Sequence, residues 1–141
     1  MGVAIIAMRR LVIVTALFAL AVAGCAKTYP LRTAERNPAA VGTITAGEDQ
    51  NKNTTLEVRV EHLAPPTSLE STLSTYVVWV RPNAGQEFTN VGQLAMQSDR
   101  SGVLKATTPF SEFDVLVTAE QSGTAKVPSP FVVLEGHARR R

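Results

Sequence analysis

Few residues in this chain could do chemistry, and each suggests a different kind. Cys25 is the single cysteine, and it directly follows the small pair Ala23-Gly24. An accessible thiol there is a nucleophile that can accept an acyl or alkyl group. One cysteine excludes an intrachain disulfide framework and any zinc site that needs two thiolates. The two histidines, His62 and His137, lie far apart, with no His-x-x-x-His or His-x-Glu pairing. Each reads as structural, His62 at a strand end and His137 in a basic tail. Asp49, Asn51 and Asn53 alternate as the first ligands of a calcium loop do. The sharp-turn glycine and the terminal bidentate Glu are missing, and Lys52 sets a positive charge among the ligands. A hairpin loop uses the same Asn and Asp residues for its turn. Arg139, Arg140 and Arg141 offer charge to anionic headgroups but read first as a solvated tail. Phe88 and Phe110 sit in loops as possible elements of a partner patch. No Gly-x-Ser-x-Gly elbow, Ser-x-x-Lys, phosphate loop or dinucleotide fingerprint is present. The residues therefore predict a protein that is not an enzyme, with no catalytic group, no cofactor and no metal.

The setting of Cys25 sharpens its chemistry. Arg9-Arg10 is followed by an apolar run over 11–23, broken only by Thr15. That run is short for a membrane span, which needs about 20 residues, and has the proportions of a secretory signal. Either Met1 or Met8 could start it. Val22-Ala23-Gly24-Cys25 resembles the lipobox of bacterial lipoproteins: an aliphatic residue, two small ones, then Cys. The resemblance implies cleavage before Cys25, which becomes the lipidated N-terminus and the point of contact with the membrane. Ala26 follows the cysteine where an Asp would signal retention in the inner membrane. By the same resemblance the chain is expected in the bacterial envelope, at the outer membrane and facing the periplasm.

The leader also changes the charge. The whole chain carries 14 Lys and Arg against 12 Asp and Glu, a formal net charge of +2, with a pI near 9.0. Arg9 and Arg10 belong to the leader and three more arginines close the chain. The body between them is mildly acidic, which removes the case for nucleic acid as a partner.

Whatever these residues do must be positioned by strands. The 25–39 segment carries Pro30, Pro38 and mixed charges, and reads as a flexible tether after the lipidated cysteine. Beyond it, period-two alternation recurs between turn residues. It covers 41–46, 54–63, 75–80, 90–96, 103–107, 113–120 and 131–134. The clearest run is 54–63, with Leu56, Val58, Val60 and His62 on one face and charges on the other. The 75–80 run is apolar on both faces, as in a central strand. Residues 67–74 form a polar connection with room for a turn of helix. Seven strands and no amphipathic helix predict an antiparallel immunoglobulin-like β-sandwich over 40–136, with 137–141 as a basic tail. Trp79 takes the place where such folds keep a buried tryptophan, and without a disulfide its ring needs aliphatic packing.

One further likeness lies in the second half. Tyr76-Val77-Val78-Trp79-Val80, Gly92-Gln93-Leu94, Val117-Thr118-Ala119-Glu120 and Val133-Leu134-Glu135-Gly136 follow one another. This series is similar to the extracytoplasmic C-terminal domain of anti-sigma-K-type factors. The resemblance covers about 60 residues and implies an exported β-domain. It also suggests an alternative role as an accessory of extracytoplasmic signalling. A sigma-binding segment and a membrane helix would have to precede such a domain; here the lipobox stands in their place, so sigma-factor inhibition is not implied. The main expectation is a lipid-anchored domain that binds a protein or envelope component.

Overall fold

The computed structural model describes residues 25–140; the expected signal segment, its helix and Arg141 lie outside them. Nine strands follow in chain order: β1 (Lys27–Thr33), β2 (Val41–Glu48), β3 (Thr54–Glu61), β4 (Thr75–Arg81), β5 (Thr89–Gln93), β6 (Ala95–Met96), β7 (Gly102–Thr108), β8 (Glu112–Glu120) and β9 (Val132–Arg139). Among the described residues the one helical element is a 3-10 turn, Pro66–Ser68, in the expected polar connection. The fold is all-β, and every strand pairing is antiparallel.

The alternation seen in the sequence produces the core. Thr54, Leu56, Val58 and Val60 of β3 point inward, while Thr55, Arg59 and Glu61 are exposed. On β8, Phe113, Val115, Val117 and Ala119 are buried in the same way. They join Ile44, Tyr76, Val78, Val80 and Leu134 in one central cluster. Fully burying an aliphatic or aromatic side chain of this size stabilises by about 1.5–3 kcal/mol, so the inward faces of the strands dominate the fold.

The strand order is β5-β4-β8-β9-β1-β2-β3-β7-β6. It divides into two ladders that share β1. Lys27 to Leu31 pair with β2, and Arg32 and Thr33 pair with β9. On the far side the chain itself crosses between the ladders, because only Leu94 separates β5 from β6. The Leu94 N–H donates to the Tyr76 carbonyl 2.9 Å away, which fixes that crossing. The result is a nearly closed, barrel-like double layer.

Four expectations need correction. Nine strands replace seven, partly because 90–96 breaks at Leu94, which turns inward and is buried. The expected tether is largely β1. Its only buried residue is Leu31, so apolar periodicity could not reveal it. Leu31 lies opposite Gly42, and a Cβ on Gly136 would come within 2.6 Å of its Cδ2. Bare backbone on both neighbours thus makes room for Leu31 where β1 passes from one ladder to the other. Next, His62 is exposed rather than inward. Its φ of 57° interrupts the alternation, so the following residue, Leu63, fills the core instead. Lastly, the basic tail is not free: His137 and Arg139 belong to β9, and the Arg140 N–H donates to the Ser111 carbonyl at 2.9 Å.

Candidate functional site

The strands place the chemistry-bearing residues in four separate neighbourhoods. Cys25 is exposed, two positions before β1, at the end of the fold where β2 and β9 finish and β3 and β8 begin. Around it lie the 49–53 loop and the last described residues of the chain. The 49–53 loop closes on itself: Asp49 Oδ1 accepts the N–H groups of Asn51 at 2.8 Å and Asn53 at 2.9 Å. Its carboxylate is thus turned to the loop backbone, as an Asx turn requires. Glu48 beside it receives Lys52 Nζ at 2.9 Å on one oxygen and Arg140 Nη1 at 2.7 Å on the other. The Lys52 hydrogen bond, then the charges of Lys52 and Arg140, hold the Glu48 carboxyl below its usual range. The alternating acids and amides of this loop therefore serve its turn, and the acid next to them is already engaged by two cations.

A second neighbourhood is a charged stripe across β4, β8 and β9. Asp114 on β8 stands opposite Arg81 on β4 and His137 on β9. Arg81 Nε donates to Asp114 Oδ2 at 3.0 Å, and the guanidinium also lies 4.4 Å from the centre of the Phe88 ring. His137 places Nδ1 2.9 Å from Asp114 Oδ1 and Nε2 2.8 Å from Glu112 Oε1. Its bonds to Asp114 and then Glu112 raise the imidazole pKa above the ordinary histidine value. The His137 hydrogen bond, helped by Arg81, holds Asp114 low in return. This stripe lines an open hollow of ≈ 480 Å³ together with Arg32 and Glu135. Both ring nitrogens lie against carboxylates of β8, so in its protonated form His137 ties β9 to β8. Among the described residues no group of three or more His, Cys, Asp or Glu could hold a metal ion.

No protein family, curated protein or solved structure matches this chain. Function must therefore be read from its own residues.

The third neighbourhood is the outer side of β4. Trp79 and Val77 are fully buried yet stand outside the central cluster, on the opposite face from Tyr76, Val78 and Val80. The sequence expectation of a ring held by aliphatic packing needs amending. Trp79 Nε1 donates to Thr118 Oγ1 at 2.8 Å, and the Thr118 hydroxyl donates to Glu120 Oε1. That same carboxylate oxygen accepts the Ser129 N–H at 2.7 Å, and Ser129 Oγ donates to the Ala119 carbonyl at 2.7 Å. Asn90 Nδ2 on β5 donates to the carbonyls of Gly123 and Ala125. These bonds fasten the 121–131 loop over the outer face, so the polar atoms buried with Trp79 are satisfied.

The fourth neighbourhood holds His62, at the end of the molecule opposite Cys25. It lines a shallow hollow with Arg59, Gln97, Asp99 and Ser101, and the Leu63 N–H donates to the Arg100 carbonyl at 3.1 Å. The two histidines are thus not brought together. Of the loop aromatics, Phe88 supports Arg81, and Phe110 is half-buried against the core with its carbonyl accepting the Thr54 hydroxyl at 2.7 Å. Sequence reasoning missed Glu112 and Asp114 as partners of His137, and Arg81 as the second partner of Asp114. Their only signal is cross-strand register, which a linear reading does not contain.

Proposed function

We propose that the chain is a lipid-anchored protein of the bacterial envelope, with acyl chains carried on Cys25. In this reading it holds a small, non-catalytic immunoglobulin-like sandwich at the outer membrane, facing the periplasm, for contact with a protein or an envelope polymer. The observation that carries the reading is the joint position of Cys25. It closes the Val22-Ala23-Gly24-Cys25 series, and its thiol is exposed, clear of the core, just before the first strand. The signal peptidase and the acyl transferase need that kind of access. The strand order supports the sandwich. β2-β3-β7-β6 and β5-β4-β8-β9 follow the A-B-E-D and C′-C-F-G orders of immunoglobulin-like domains, with β1 added between them.

Replacing the thiol tests the anchor. Cys25→Ser is expected to move the protein from the detergent-soluble membrane fraction to the soluble fraction, with loss of metabolic palmitate labelling. Retention of the variant in the membrane with undiminished label would refute the anchor. A single acyl chain binds only marginally, so stable retention of the unaltered protein also requires the multiple chains that the lipobox implies.

A further inference from the structure

The distance between Cys25 and the first paired residue carries a consequence for orientation. Lys27 already pairs with Ala46 of β2. Ala26 lies against the same strand, its Cβ 3.6 Å from where a Cβ on Gly47 would stand. Two residues extend at most about 7 Å. The polar layer on each side of a bilayer is about 5–8 Å deep, from a hydrocarbon core of about 30 Å within a total of 40–45 Å. A sulfur that carries diacylglycerol at the inner boundary of that layer therefore leaves the strand no room to stand off from the headgroups.

We infer, on the lipoprotein reading, that the domain stands directly on the bilayer. The Cys25 end contacts phospholipid headgroups, and the opposite loops, 34–40, 62–74 and 97–101, point away from the membrane.

Several features of that end suit the contact. Antiparallel pairing of β1 with β9 brings Arg139 and Arg140 to the same end as Cys25. The Tyr29 hydroxyl donates to the Arg139 carbonyl at 2.6 Å, and Arg140 reaches across to Glu48, so the strand ends around the anchor are tied together. Lys52 and Arg140 are paired with Glu48 there, while Lys27 and Arg139 are exposed. The attraction of these two to anionic headgroups acts within about a Debye length, roughly 8 Å, which is the range that a two-residue attachment enforces. The base is also rigid: the 49–53 loop and the Ser111 to Arg140 link are closed by backbone hydrogen bonds. Val41, 55% exposed, lies at the other end, paired with Glu61.

The experiment uses the full chain, processed and lipidated in a bacterial host. It is reconstituted in vesicles of phosphatidylcholine and phosphatidylglycerol that contain a headgroup spin-labelled lipid. Once the Cys25 sulfur is alkylated, Asn51→Cys at the base or Ser98→Cys in the exposed 97–101 loop at the far end supplies the only thiol for a fluorophore. The two positions are separated by most of a strand length, on the order of 25 Å at about 3.3 Å per residue. Fluorescence at position 51 is expected to be quenched several-fold more than at position 98. A flexible Gly/Ser insertion between Cys25 and Ala26 is expected to keep the chain in the vesicles while removing the difference. Equal quenching at both positions overturns the orientation and leaves the anchor intact; a difference that survives the insertion overturns the short attachment as its cause. A chain that fails to enter vesicles, with Cys25 still reactive to maleimide, overturns the anchor reading itself and the orientation with it.

Discussion

His137 ties two strands together only while it is charged, so its contribution depends on pH. Its pKa in the fold is raised above 6.5, first by Asp114 and then by Glu112. Stabilisation from that group is therefore complete below the unfolded pKa and is lost as pH rises through the higher folded value. Asp114 has the opposite sign: its pKa lies below 3.8, so its contribution is present above that value and is lost as pH falls through the folded one. The tie is thus strongest between about pH 4 and 6.5. The imidazole is half exposed, which screens the pair and limits the effect to about 1 kcal/mol or less. His137→Gln is expected to lower the thermal midpoint most near pH 5 to 6, with the gap narrowing above pH 7. Thermal melts that show the same gap from pH 5 to 9 would count against the tie. At this scale the sequence was partly legible. The resemblance at Cys25 rests on the three residues before it, a local pattern that a linear reading contains. His137 was not, because its partners are 23 and 25 residues away and meet it only through the β8–β9 register.

Among the elements, β1 departs furthest from its local composition. Strands β2, β3, β7 and β8 could be read from period two because one face of each is buried. β1 joins two ladders at their shared boundary and buries Leu31 alone, so its sequence resembles a linker. Its presence is written in its neighbours, where Gly42 and Gly136 leave space for Leu31. Gly136→Val is accordingly expected to be costly. A Cβ there would stand 2.6 Å from Leu31 Cδ2 and 3.3 Å from the Pro30 carbonyl oxygen. Overpacking of this kind costs about 1–3 kcal/mol, and the branched side chain adds further clashes. Urea denaturation should show a lower midpoint; an unchanged one would mean that β1 packs elsewhere. His62 illustrates the converse. The period-two pattern continued through it on paper, but a left-handed residue shifted the phase by one and delivered Leu63 to the core.

For the whole molecule, β1 decides whether the double layer closes. A chain starting at residue 34 would keep the other strands but lose the shared strand between β2 and β9. It is expected to lose its single cooperative unfolding transition, followed by circular dichroism, and to expose apolar surface to a hydrophobic dye. Had this segment been a tether, the same truncation would leave the melt unchanged. On the proposed lipid-anchored reading, which confines the protein to a surface, closure has a further consequence. Copies held in two dimensions meet at high effective concentration, and an unpaired strand edge under such crowding would template sheet growth from one copy to the next. Here β1 has partners on both sides, β6 is two residues long, and Asn90 ties β5 to the 121–131 loop. The edge left open is the 104–108 stretch of β7 beyond its two pairs with β6, and the exposed Lys105 there sets a charge against a neighbour's strand.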